Sequence, residues 1–74
     1  MWLYLTRQTG HGSIRFYKMV FSMNLFGEFF IFREYGNVAY KSATGHVETC
    51  FSDKEEAIRH YEQVKLAKER KGYR

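Results

Sequence analysis

An α+β domain, with about four antiparallel strands followed by one C-terminal helix, is what this sequence of 74 residues predicts. Three observations carry that prediction. Bulky apolar residues alternate with period 2 over most of the chain, glycines and small polar residues interrupt the alternation at short spacings, and one helix signature occupies the end.

Trp2 to Gln8 alternates in Leu3, Tyr4, Leu5, Thr6 and Arg7, which suits a first strand. Thr9-Gly10-His11-Gly12-Ser13 then makes a turn. Ile14 to Met23 is a second strand: Tyr17, Met19, Phe21 and Met23 are expected to face the core, with Phe16, Lys18, Val20 and Ser22 on the other side. Asn24-Leu25-Phe26-Gly27 is a short connection, so the next strand runs antiparallel. Leu25 and Phe26 are unusual in a turn. They are expected to tuck back over the open end of the core, the alternative being an exposed apolar contact for a partner.

The run Gly27 to Gly36 reads as the central strand, with Phe29 to Phe32 its apolar heart and Gly36 its stop. Val38 to Tyr40 is expected to continue extended, and Lys41 to Gly45 to form a loop. His46 to Phe51 is the fourth strand, with Val47, Thr49 and Phe51 on one face and His46, Glu48 and Cys50 on the other. The helix is expected to begin at Ser52, because Ser52-Asp53-Lys54-Glu55 has the form of a capping box. Asp53, Glu55 and Glu56 suit the positive end of its dipole, and Lys65, Lys68, Arg70 and Lys71 the negative end. Ala57, Ile58, Tyr61, Val64 and Leu66 give an apolar stripe to cover the sheet, and Gly72 ends the helix.

Residues 1 to 74 read as a single domain whose core is carried by aromatics, since seven Phe, six Tyr and one Trp make 19% of the chain. The single Cys50 has no disulfide partner in the chain, and three scattered histidines give no metal-ligand spacing. No metal and no cofactor are expected. The longest apolar run, Phe29 to Phe32, is far too short for a membrane span, and the N-terminus lacks a signal-peptide pattern, so a cytoplasmic location is expected. A net charge of +4 biases the chain toward anionic partners.

Catalysis finds few candidates. Ser52 is a helix cap, no Ser or Cys sits in a nucleophile elbow or phosphate-cradling loop, and the adjacent Glu55 and Glu56 diverge on a helix. Binding is better supplied. Arg33, Tyr35, Lys41, Arg7, Arg15 and Lys18 mix cations and rings in the sheet half, a combination that holds phosphates by charge while a ring meets a sugar or base. The basic tail from Lys65 to Arg74 reads mainly as a complement to the helix dipole.

Four local patterns, in order, resemble the WGR domain of poly(ADP-ribose) polymerases and short bacterial proteins. Ile14-Arg15-Phe16-Tyr17 resembles the family's leading strand, Tyr35-Gly36-Asn37-Val38 occupies the motif, Phe51-Ser52 with Glu55-Glu56-Ala57 resembles the strand-to-helix junction, and Arg70-Lys71-Gly72-Tyr73 the usual ending. The likeness runs from about Ile14 to Tyr73. The motif Trp is here Tyr35, the motif Arg is Asn37, and a frequent glycine after it is Ala39. In the polymerases the Trp packs on a sugar at a DNA end and the Arg makes a charged contact nearby. The resemblance therefore implies a small non-enzymatic module that binds nucleic acid, DNA in particular, around Tyr35, Gly36 and Asn37 with Arg33 and Lys41. The alternative is a protein-interaction or self-association domain that has lost nucleic-acid binding.

Overall fold

The computed structural model describes residues 1–39 and 45–74. Strand β1 spans Trp2–Gln8, β2 Ile14–Met23, β3 Phe29–Asn37 and β4 Gly45–Phe51, and helix α1 spans Lys54–Arg70. The strands form one antiparallel sheet in the order β1-β2-β3-β4, the meander that short connections favour. The α+β expectation holds.

Register and alternation sort the side chains into rows. On the face that α1 covers, Leu5, Tyr17, Tyr35 and Gly45 lie in one row, with Leu3, Met19, Arg33 and Val47 in the next. Beyond the tyrosine row, toward the sheet's end, lie Arg7, Arg15 and Asn37. The core joins Tyr17, Met19 and Ile31 of the sheet to Ala57 and Tyr61 of α1 and to Tyr73 beyond it. Met19 and Ile31 are fully buried.

Several boundaries differ from the sequence reading, each for a local reason. Strand β3 begins at Phe29 because Asn24 closes the preceding turn: its Oδ1 accepts from the N–H groups of Phe26 and Glu28, and its Nδ2 donates to Glu28 Oε1. With the turn's polar groups satisfied locally, Leu25 and Phe26 project outward at 102% and 86% exposure instead of covering the core. Met23, at the same end of the sheet, is also exposed. Gly36 does not stop β3, since it pairs with Phe16 and the ladder continues to Asn37 opposite Arg15. Val38 and Ala39 turn rather than extend, because Asn37 Oδ1 accepts the Ala39 N–H at 2.9 Å. Tyr40 and Lys41 lie outside the described residues.

Asp53, not Ser52, caps α1. Its extended backbone lets its Oδ1 accept the Glu55 N–H at 3.1 Å, and its carboxylate meets the positive end of the dipole. Ala57, Tyr61 and Val64 face the sheet, whereas Leu66 is exposed because two residues past Val64 is more than half a turn around the helix. At the other end Gly72 adopts φ +98°, its N–H reaches Glu69 O, and the Tyr73 N–H reaches Lys68 O. This Schellman closure turns the chain back so that Tyr73 enters the core. Arg74 then exchanges two backbone hydrogen bonds with Thr6, which ties the chain's end to the outer edge of β1.

Gly45 is needed for its lack of a side chain. A Cβ there would stand 2.7 Å from the ring and hydroxyl of Tyr35, which also stacks on Tyr17, so the ring would have to give up that position. Gly45→Ala is expected to cost about 1–3 kcal/mol by overpacking, read as a shift of the urea midpoint; an unchanged midpoint would show that the Tyr35 ring is free to move.

Candidate nucleic-acid interface

The candidate surface is built where the tyrosine row meets the last turns of α1. Tyr17 is buried and stacks on Tyr35, with ring centroids 6.1 Å apart and planes within 8°, and Tyr73 meets Tyr17 edge-on at the same distance. Cations lie over these rings. Lys68 Nζ sits 4.6 Å from the Tyr17 centroid and 5.9 Å from that of Tyr73, and Arg7 Cζ lies 5.2 Å from the Tyr73 centroid. Arg7 Nη1 also donates to the carbonyl of Lys71 at 3.2 Å, so the arginine of β1 is fastened to the C-terminal end of α1.

Arg33 completes the group from β3. It is half-buried, and neither its Nε nor that of Arg7 has a hydrogen-bond partner among the described residues. Burial raises the Tyr17 phenol above its ordinary value, a rise opposed by the nearby Arg33 guanidinium. Lys68 is pulled the other way. Burial lowers its pKa first, and the charges of Lys71, Arg33 and Arg7 lower it further. A lysine pressed by three cations is in a positive field, and such a field lowers the energy of any anion that approaches it.

The sequence-predicted residues fall in different settings. Arg33 and Tyr35 belong to this group, while Gly36 is buried with Phe16 opposite it on the neighbouring strand. Asn37, in the position of the motif Arg, spends its carboxamide oxygen on the turn at Ala39. The Tyr35 ring stacks on Tyr17, lies close to Gly45 and is half-buried. Lys41 lies outside the described residues. Lys18 alternates onto the opposite face of the sheet from Arg7, Arg15 and Arg33.

Tyr17, Lys68 and Tyr73 were not singled out as site residues by the sequence. A signal for Lys68 was present, since positions 57, 61, 64 and 68 continue one helical stripe and place this cation on the sheet-facing side. Tyr73 follows the glycine of a Schellman turn, where an apolar contact back to the helix is common.

His60 lies beside this group on α1. Its ring packs 5.2 Å from that of Phe51, its Nε2 is buried without a partner among the described residues, and burial first, then Arg33, lower its pKa from 6.5. The unfolded chain therefore takes up the proton first as pH falls. Stability from this residue is present above about pH 6.5 and is lost as pH falls from there toward the folded-state pKa. Urea unfolding is expected to show lower stability at about pH 5.5 than at about pH 7.5, with the difference reduced in His60→Leu; equal pH dependence in the two proteins would contradict this.

Among the described residues, no group of three His, Cys, Asp or Glu side chains is placed to hold a metal ion, and no helix is long and apolar enough to cross a membrane. The fold thus gathers Arg7, Arg33 and Lys68 around the tyrosine row on one face of a small domain. The chain belongs to the WGR domain family, whose family model matches residues 1–74. Comparison with curated proteins and with solved structures gave no match.

Proposed function

We propose that the chain is a single-domain, non-enzymatic nucleic-acid-binding module, acting in the cytoplasm, that seats a phosphate backbone between the last turns of α1 and the tyrosine row of the sheet. One observation carries this reading: Lys68 is held over Tyr17 in a field made by Arg7, Arg33 and Lys71. Gathering like charges disfavours the free protein, and a bound polyanion reverses that term. Lys68, Arg7 and Arg33 serve as the phosphate contacts, with Lys41, the cation that follows the motif in the sequence, as a further one. The rim of Tyr35 meets a sugar or base edge, while Gly36 and Asn37 shape the strand end and the turn. DNA is the favoured ligand because the family likeness points to it.

The test is binding of short duplexes and single strands at rising salt, with Lys18→Gln as a control on the opposite face. Affinity that falls steeply with salt and is untouched by the control supports the reading; absent or salt-insensitive binding refutes it. A protein-contact role is favoured by a separate observation, the apolar character of the sheet face that α1 leaves uncovered.

A further inference from the structure

The face of the sheet away from α1 is built from large apolar side chains. Trp2 is 68% exposed, Tyr4 49% and Phe32 41%, with Phe16, Val20 and Phe30 half-buried among them. Tyr4 stacks on Phe16 at 5.8 Å and Phe30 on Phe32 at 6.4 Å, so the rings brace one another. Antiparallel sheets ordinarily solvate such a face with polar residues, and contiguous apolar surface of this kind marks a contact. Its charges nearly balance: alternation puts Lys18, Glu34 and Glu48 here, although the chain as a whole is +4. A polyanion is therefore poorly suited to this side.

We propose that this face is a self-association surface, on which a second copy of the chain packs sheet to sheet about a two-fold axis parallel to the strands and between β2 and β3. The register favours a second copy as occupant. Lys18 and Glu34 are direct partners across β2 and β3, the two central strands, and the row runs Tyr4, Lys18, Glu34, His46. The two-fold lays β2 of one copy over β3 of the other at the same level, so each Lys18 meets Glu34 of the second copy. The same operation sets Val20 against Phe32 and the bulky Phe16 against the side-chain-free Gly36. A two-fold crossing the strands through that row instead opposes Lys18 to Lys18 and Glu34 to Glu34. Open depressions lined by Lys18, Val20, Phe32 and Glu34, and by Met1, Trp2, Lys18 and Val20, leave room for side chains from the facing sheet.

Aligned sheets pack at a small angle about 10 Å apart. Four strands at ~4.8 Å spacing and about seven residues at ~3.3 Å give a footprint on the order of 450 Å² per copy. That is at the low end for specific interfaces, so the dimer is a weak one, in exchange with monomer at micromolar concentration. The cation group of the opposite face stays free in both copies, and this inference does not depend on the nucleic-acid reading.

Sedimentation equilibrium without nucleic acid tests it. The wild-type chain is expected to show a monomer–dimer equilibrium. Lys18→Glu alone and Glu34→Lys alone are each expected to raise the dissociation constant about tenfold or more, because each opposes like charges across the interface. Mixing the two variants is expected to restore association. In the mixed dimer the two reversed side chains face each other with opposite charge, and the unaltered Lys18 of one copy faces the unaltered Glu34 of the other, while each chain keeps a like-charged pair within itself. Circular dichroism of both variants checks that they are folded. A strictly monomeric wild type, a dimer indifferent to both reversals, or a mixture no better than its components would each overturn the proposal.

Discussion

Lys68→Glu is expected to reduce nucleic-acid affinity by about 10–100-fold at moderate salt while leaving the protein folded. The reversal removes a cation held over Tyr17 and puts a carboxylate where the phosphate charge is to sit. Its effect exceeds that of an isolated exposed lysine because Lys71, Arg33 and Arg7 would be drawn to the new acid instead of to a ligand. The same neighbours explain why folding is spared: they disfavour the lysine's charge and favour the glutamate's. A residue placed for stability would give the opposite result, with loss of fold and binding together. The discriminating readout is therefore paired, with a melting temperature held within a few degrees beside a large change in dissociation constant.

Ile31→Ala is expected to leave the chain largely unfolded near body temperature. Ile31 is fully buried at the centre of β3, opposite Phe21 on β2 and Thr49 on β4 and in the same core as Tyr61 of α1. Truncating a buried isoleucine costs about 2–5 kcal/mol through lost transfer energy and the cavity left behind. A domain of this size has roughly 4–10 kcal/mol in total. No disulfide makes up the difference, since the one cysteine, Cys50, is free. Urea unfolding followed by tyrosine and tryptophan fluorescence would show the midpoint collapsing toward zero denaturant; a loss below about 1 kcal/mol would mean that the core repacks around the truncation.

The sheet and helix were legible because their signals are local and repeated. Alternation at Tyr17, Met19 and Phe21 fixed which side of β2 faces the core, and short glycine-bearing turns fixed the meander. The misreadings sit where one side chain decides the backbone: Asn24 holding Leu25 and Phe26 outward, Asn37 bending the chain after β3, and Asp53 capping in place of Ser52. Each depends on the hydrogen bonds of one side chain, which composition does not reveal.

The candidate site was legible only in part. Arg33 and Tyr35 were visible as a cation and a ring near the motif, but the partners that join them in a cluster of cations over tyrosine rings come from residues 7, 68 and 73, brought together by the return of the chain at Gly72. Alternation assigned Lys18 to the other face, which separates the side that carries Arg7, Arg33 and Lys68 from an apolar one. Basic charge alone could not make that separation.

The most direct measurement is the slope of log Kobs against log salt for a short DNA duplex, taken for the wild type, for Arg7→Gln with Lys68→Gln, and for Lys18→Gln. With Arg7, Arg33, Lys68 and Lys41 as the contacts, the wild-type slope is expected to be about −3 to −4. The double variant should lose roughly two units of slope and Lys18→Gln none. A wild-type slope near zero, or equal losses in the two variants, would contradict the placement of nucleic acid on the face that carries Lys68.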